Sequence, residues 1–439
     1  MTPTIDTGRA FTRRSVLKIG GGVVGGIGIG TLLAACGDAG TKAAGATGNI
    51  TWGAQAFFST QSTNSDVAAY VKKALADFEK KSGAKVALTV QSSDNSAGMA
   101  KLLQQASQGR ASDAAMVDSY IFPQFEKYAK DIELYAGPAG VTIDDFFPFF
   151  QPLVGKGSSV VGLPIHTDVR MLYYRKDLVS TPPTSWDELV RISKPLAAKG
   201  QYFMFPAGRS EDPLMCSIWP WYWAQGAEIV DSKGAVGFSS GSGYDAMMNT
   251  LGFIKRCIDE GITPTRASTF MVSDDMLPDI IGGRVAMFVG GSWMATNMQN
   301  QMGGDVTQKW AVAPIPSMNG VDFATSAGGW MYGCFATEKK SLKNAADFVI
   351  DTYIAKDAMA QFCTAAGYLP ARQSVYQSSA FKGGPFTPEF RDSLAKHAKS
   401  RPGVAKYAAI STAMQIAMSS VASKAATPKK ALDTALATL

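Results

Sequence analysis

The sequence predicts an α/β protein with a largely parallel sheet, and three observations predict it. Short apolar or β-branched runs alternate with helical periodicities from residue 50 onward. Hydrophobic residues make up 46% of the chain, enough for a large core, and glycines mark the ends of several elements. Ile50 to Trp52 is the first strand candidate. Val67, Tyr70, Val71, Leu75 and Phe78 then recur at helical spacing, with Gly83 just past the end. Val86 to Val90 is a second strand. Met99, Leu102, Leu103 and Ala106 mark a helix that stops near Gly109. Ala114 to Val117 is a short apolar run of the kind that fills a parallel strand buried on both faces. Ligands of such sheets sit beyond the carboxyl ends of the strands. That rule puts Asp118 and Tyr120 where a ligand would be.

The pattern continues along the chain. Leu163 to Leu172 reads as one extended segment with Asp168 inside it. Trp186 to Lys194 reads as a helix entered from Pro182-Pro183-Thr184, with Ser185 as N-cap and Glu188 completing a capping box. Trp219, Trp221 and Trp223 follow with Tyr222 between them; they share a face if extended and spread around it if helical. Asp245 to Glu260 is helical. Gly282-Gly283-Arg284 turns into a strand, Val285 to Val289. Trp310 to Pro314 and Met331 to Ala336 are further strands. Asn344 to Ile354 and Asp357 to Ala366 are helices, and the last 40 or so residues are alanine-rich and helical.

The N-terminus sets the compartment. Thr12-Arg13-Arg14-Ser15-Val16-Leu17-Lys18 is a twin-arginine sequence, and Ile19 to Ala35 is apolar with seven glycines. This is the layout of a cleavable export signal, too short and too glycine-rich for a spanning helix of about 20 residues. Leu33-Ala34-Ala35-Cys36 resembles a bacterial lipobox. Cleavage before Cys36 would free its amine and thiol for acylation, and several acyl chains hold a protein firmly to a membrane. Gly37 to Gly48 is small, polar and aperiodic, as a flexible tether is.

Composition excludes several classes. The formal net charge is +6, of which Arg9, Arg13, Arg14, Lys18 and Asp6 of the signal carry half; the mature chain keeps about +3 and has no basic run, so nucleic acid is not expected as a partner. Beyond Cys36 the cysteines are Cys216, Cys257, Cys334 and Cys363, with no CxxC pair. Four cysteines allow three pairings, and buried free thiols fit equally well. His166 and His397 are the two histidines; there is no HExxH and no P-loop. No metal site and no cofactor is expected.

Leu163-Pro164-Ile165-His166-Thr167-Asp168-Val169-Arg170-Met171-Leu172-Tyr173-Tyr174-Arg175-Lys176-Asp177-Leu178, followed by Pro182 to Leu189, resembles the extracellular solute-binding proteins that serve sugar ABC importers. The maltose-, trehalose- and glycerophosphodiester-binding proteins are members. Gly283-Arg284-Val285-Ala286-Met287, Gly291-Ser292-Trp293, Ala313-Pro314-Ile315-Pro316, Gly328-Gly329-Trp330 and Gly367-Tyr368-Leu369-Pro370-Ala371-Arg372 are similar to the family's later blocks, in order. The resemblance covers about residues 50 to 439. It implies a two-lobed periplasmic-binding-protein fold of type II, with mixed sheets flanked by helices and a ligand cleft between the lobes. The division it implies is a signal at 1–35, a tether at 36–48, a first lobe of 49–166 with 328–370, and a second of 167–327 with 371–439. Crossings are expected near His166 to Arg170, Ala327 to Met331 and Leu369 to Arg372.

The resemblance also implies a site. A sugar offers an apolar C–H face to aromatic rings and a hydroxyl rim to carboxylates and arginines. Asp168 matches the ligand-binding acid of the crossing strand and Asp118 the acid after the third strand. Trp293 matches the stacking aromatic after Gly-Ser. Gly329 and Trp330 belong to the block whose backbone approaches the ligand, and Arg372 matches an arginine used on sugar hydroxyls. His166 and Tyr120 stand where relatives place ligand contacts, with His166 a departure from their aromatic. One of Trp219, Trp221 and Trp223 is expected to face the ligand. Gln55, Gln91 and Asp94 lie on first-lobe loops within reach. The implied partners are a carbohydrate, a neutral di- or oligosaccharide, and ABC permease subunits, with the chain itself a monomer. Three other readings compete. A phosphodiester or polyol phosphate would favour Arg170, Arg209 and Arg372. A secreted glycosidase would use Asp118 and Asp168 as paired carboxylates. A lipoprotein with no small ligand would use none of them.

Overall fold

The computed structural model describes residues 48–92 and 95–439. The signal, Cys36, nearly all of the tether and Asp94 lie outside the described residues.

The first sheet forms as the alternation predicts. Strands β1 (Ile50–Ala54), β2 (Val86–Val90) and β3 (Ala114–Asp118) pair in parallel with β1 in the middle. The helix Ser65–Ser82 connects the first two. Asn64 caps it, its side chain accepting from the N–H of Asp66 at 3.0 Å and of Val67 at 3.3 Å. Gly83 ends it in the left-handed conformation, φ 69°. Two later strands extend this sheet antiparallel, which the local pattern does not reveal. They are β4 (Gly162–Pro164) and a strand from far along the chain, Trp330–Cys334, which lies between β3 and β4.

The second sheet is built around β5 (Asp168–Arg175), buried along nearly its whole length. In chain order the others are β6 (Tyr202–Met204), β7 (Val285–Gly291), β8 (Trp310–Ala313), β9 (Thr325–Gly328), β10 (the Trp330–Cys334 strand of the first sheet) and β11 (Ala398–Lys399). The second sheet runs β11-β9-β5-β7-β6, and β8 pairs with β5 beside β9. The predicted segment from Leu163 to Leu172 is therefore two strands in two sheets. Its middle, residues 165–167, carries the chain from one sheet to the other. The helix Trp186–Ala197 starts at Ser185, whose side chain accepts the N–H of Glu188. Glu188 reaches one residue further back than a capping box requires, accepting from the N–H and the hydroxyl of Thr184.

Each sheet has its own core. Trp52, Phe78, Leu163, Tyr332, Phe348 and Tyr353 pack around the first. Trp186, Trp219, Trp221, Phe253 and Met414 pack on one side of the second, and Tyr173, Phe288 and Trp310 on the other. Cys216, Cys257, Cys334 and Cys363 are free and buried. Burial pushes all four thiols up, so they behave as small hydrophobes. No described helix is long and apolar enough to cross a membrane.

Three segments run side by side between the sheets. The N–H of Ile165 donates to the carbonyl of Trp330 at 3.0 Å, and the N–H of Thr167 to that of Leu369 at 2.7 Å. The Thr167 hydroxyl donates to the Gly328 carbonyl at 2.9 Å. Gly329 is at φ 154°, and a Cβ there would stand 2.2 Å from the His166 carbonyl oxygen. Only glycine fits both the conformation and the space. Gly329→Ala should therefore cost about 1–3 kcal/mol, read as a lowered midpoint in urea unfolding; an unchanged midpoint would show that this packing yields freely.

Candidate functional site

The crossing segments and the carboxyl ends of β1 and β3 converge on one region, and the side chains there form two linked ionic groups. Asp118, the last residue of β3, is buried. Its Oδ1 accepts from Arg401 Nη2 at 3.0 Å and from the Tyr120 N–H. Arg401 also pairs with Glu211 at 3.2 Å, and its guanidinium lies 4.2 Å from the centre of the Tyr120 ring. Glu211 accepts from the hydroxyls of Tyr407 and Ser411.

The second group begins at Asp168, the first residue of β5. Arg170 pairs with Asp168 and, at 2.9 Å, with Asp212. Two residues along a strand share a face, which is why this pair meets. The other oxygen of Asp212 accepts from the N–H and the hydroxyl of Ser273, at 2.8 and 2.7 Å. Glu211 and Asp212 are neighbours at the start of one short helix, Glu211–Pro213, and each takes a different arginine.

Aromatic rings stand beside these charges. The Arg170 guanidinium lies 4.9 Å from the Trp293 ring. The Trp293 indole N–H donates to Asp274 at 2.9 Å, and Asn297 donates to the other oxygen of Asp274 at 2.6 Å. Burial pushes the Asp274 carboxyl above its usual range against those two donors. Tyr368 lies 6.3 Å from Trp293 and 4.3 Å from His166, and His166 in turn 4.8 Å from Phe58. Half-buried Trp330 sits opposite Asp118 in the sheet register and 6.2 Å from the exposed Phe57. The Gly329 carbonyl accepts from the Ser119 N–H, tying this block to the start of the Asp118 loop.

The structure thus brings together Asp118, Tyr120, His166, Asp168, Trp293, Gly329 and Trp330. Gln55 and Gln91 lie next to them at the ends of β1 and β2; Gln91 donates to the Met116 carbonyl at 2.8 Å and accepts from Gln55 at 3.5 Å. Arg372 is not part of the group. Its guanidinium is spent inside the first lobe, on Asp145 at 2.7 Å and on the carbonyls of Ile354 and Gly140. Burial raises the Asp145 carboxyl, but Ser374 and Arg372 outweigh it and hold the group below its usual range. Trp219, Trp221 and Trp223 are helical, so they spread over several faces, and all three are buried in the second core. Trp221 packs on Trp186, Phe205 and Phe253. Trp219 touches the site at one remove, its N–H donating to the Tyr407 hydroxyl at 2.9 Å.

Sequence reasoning missed Glu211, Asp212, Asp274, Tyr368 and Arg401 as site residues, and gave Arg170 only a phosphate role. Arg170 carried a signal, since it shares a strand face with Asp168. Arg401 carried none, since it lies 283 residues from its partner Asp118.

A buried floor of paired charges flanked by indole and phenol rings, set where three strands cross between two sheets, defines a two-lobed binding protein. Residues 73–388 match the bacterial extracellular solute-binding protein family, and the chain belongs to it. A putative binding protein of Brucella abortus (strain 2308) is 27% identical over 233 residues, 51% of this chain and 54% of that protein. The chain spans about half the length of such curated relatives. A probable ABC transporter-binding protein of Deinococcus radiodurans is 25% identical over 295 residues, 63% of this chain and 68% of that one. Among solved structures, maltose-bound MalE3 of T. maritima superposes with a TM-score of 0.71 at 23% identity, covering 89% of this chain and 98% of that one. At that identity the likeness is one of fold.

His166 offers a test of the buried floor. It is 1% exposed, neither ring nitrogen has a hydrogen-bond partner among the described residues, and burial lowers its pKa from 6.5 to about 3. The folded chain then binds fewer protons than the unfolded chain between those values, so this group's stability is present above pH 6.5 and lost as pH falls toward 3. The slope is up to about 1.4 kcal/mol per pH unit. The melting temperature of His166→Phe should fall less steeply than wild type across that window; parallel curves would show that His166 is not buried neutral.

Proposed function

We propose that this chain is the substrate-binding component of an ABC importer, that it captures a neutral di- or oligosaccharide in the interlobe cleft, and that it presents it to permease subunits as a monomer. The observation that carries this reading is the composition of the site. Five carboxylates, Asp118, Asp168, Glu211, Asp212 and Asp274, stand with two guanidiniums, Arg170 and Arg401, beside Trp293, Trp330 and Tyr368. Carboxylates accept strongly from hydroxyls and rings cover C–H faces, so the set suits a polyol with flat apolar faces. MalE3 of T. maritima, with the same fold, holds maltose.

The competing readings fit less well. A phosphate needs several free donors; both arginines here already serve two carboxylates each and keep only a buried Nε without a partner among the described residues, while Arg372 is spent elsewhere and Arg209 is exposed. Against a glycosidase, Asp118 and Asp168 are each held by an arginine, which suits an acceptor and not a protonated general acid. Gly237-Phe238-Ser239-Ser240-Gly241 has the spacing of a serine nucleophile motif. Ser239, however, donates to the Val236 carbonyl at 2.8 Å, and the histidines lie elsewhere, His166 in a crossing segment and His397 against Phe323. We therefore read the chain as a binding protein and not an enzyme.

The lobes divide in this reading at 49–166 with 328–370 and 167–327 with 371–439. Ala371 and Val375 still pack in the first core, with Ala380 and Phe381 against it, and Phe386 is the next buried residue of the second, so the last boundary is better drawn between 381 and 386. The anchor is Cys36, which ties the exported protein to the outer face of the membrane through the tether.

A thermal-shift screen of mono-, di- and oligosaccharides with one glycerophosphodiester tests the ligand class. A true ligand at about 100 times its Kd adds about 2.7 kcal/mol. A shift with the phosphodiester alone would move the assignment, and no shift with any compound would end the sugar reading. For the sugar that scores, Trp293→Ala should weaken binding roughly 10-fold or more, since loss of a stacking ring costs on the order of 1 kcal/mol beyond its area. Release of reducing sugar, abolished by Asp118→Ala, would instead make the chain an enzyme. Cys36→Ser should move the protein from the membrane fraction to the soluble fraction with ligand binding intact; retention at the membrane would refute the anchor.

A further inference from the structure

The segment that carries Arg401 follows β11 of the second sheet, and it rides on the loop that follows β3 of the first. Two independent contacts join them. One is ionic: Arg401 lies over the Tyr120 ring and bridges Asp118 of the first sheet to Glu211 of the helix Glu211–Pro213, which precedes the second-core helix Trp219–Trp223. The other is steric: Gly403 is packed so closely on Pro123 that a Cβ there would stand 2.4 Å from the proline Cγ. Tyr120 completes the join, since its ring packs at 5.3 Å on Tyr407 of the helix Tyr407–Ala422 in the second core. Neither contact belongs to the three crossing segments. The ionic one lies beside the crossing strands, where Arg401 Nη2 would be 3.5 Å from a Cβ on Gly328, and the steric one lies at the exposed Pro123 of the loop after β3. A contact so near the crossing strands converts a small displacement into a large change of lobe angle.

We infer that residues 401–403 form an interlobe clamp, in which Arg401 is a positioning residue that holds Asp118 and Tyr120 against the second lobe and Gly403 sets how closely the lobes approach. The inference rests on the two-lobed binding reading but not on the ligand being a sugar. Each half of the clamp has a physical consequence. Removing the guanidinium leaves the buried Asp118 and the half-buried Glu211 without the counter-ion they share, and like charges so placed repel. Adding bulk at 403 drives a wedge between Gly403 and Pro123 while the ion pair stays intact. A bridge of this kind also lowers the free-energy gap to the closed form, so the apparent affinity for any ligand follows the closed fraction.

The test is small-angle X-ray scattering on the mature chain without added ligand, alongside its melting curve. Arg401→Gln, Asp118→Asn and Gly403→Val should each raise the radius of gyration and shift the pair-distance distribution outward while a cooperative melt persists. Arg401→Gln with Asp118→Asn should open the chain no further than either alone. Arg401→Lys, which keeps the charge but loses the fork and the stacking, should recover part of the compactness. A purely structural arginine would lower the melting temperature and leave the scattering of the folded chain unchanged. If Arg401→Gln does not fold, the Gly403→Val and Asp118→Asn profiles decide alone. Wild-type scattering from both would overturn the clamp. Because no sugar is present, this outcome is separate from the ligand screen.

Discussion

The structure depends on three chain segments lying side by side between two sheets, with Thr167 at their centre. Its N–H reaches Leu369 and its hydroxyl reaches Gly328, so one residue ties all three crossings together. The residue is fully buried, and its backbone has no strand of its own to pair with. The crossings supply the partners instead, as buried backbone groups require. Gly329 permits this approach by having no side chain. With the crossings fixed, the carboxyl ends of the first sheet and the start of β5 must face each other, and the site follows from that.

Charge then organises the site. Buried carboxylates are costly unless paired and hydrogen-bonded, and here the solution is shared. Arg170 neutralises Asp168 and Asp212, and Arg401 neutralises Asp118 and Glu211. The adjacent acids Glu211 and Asp212 link the two groups through one peptide bond. Each arginine also lies over a ring, Arg170 on Trp293 and Arg401 on Tyr120. Such stacking is favourable when the cation is desolvated, and it holds the two rings in place. The same acids that would recognise a hydroxyl are therefore the ones that hold the floor together.

The ring cluster at Trp219, Trp221 and Trp223 shows how aromatic content can mislead. Three indoles at alternate positions suggest a binding face, but the segment is a helix inside the second core. Half-buried Trp330 and exposed Phe57, whose rings lie 6.2 Å apart, stand outside that cluster. Arg372 misleads in the same way. A family motif marks it, yet Asp145 and two carbonyls consume its donors.

The class of fold, the order of the first five elements and the acid at the end of β3 are legible in the sequence, whereas Asp168 reads there as interior to one long strand. These are local properties: hydrophobic period, caps and the position of a polar residue just after an apolar run. Tertiary structure alone decided that Leu163 to Leu172 is split between two sheets, that Trp330–Cys334 returns to the first sheet, and that Arg401 meets Asp118. These depend on contacts between residues up to 283 positions apart, and local periodicity carries no record of them. Whether a buried arginine serves a ligand or its own fold depends on which acceptors the chain folds around it, and for Arg170, Arg372 and Arg401 only the packed structure decides.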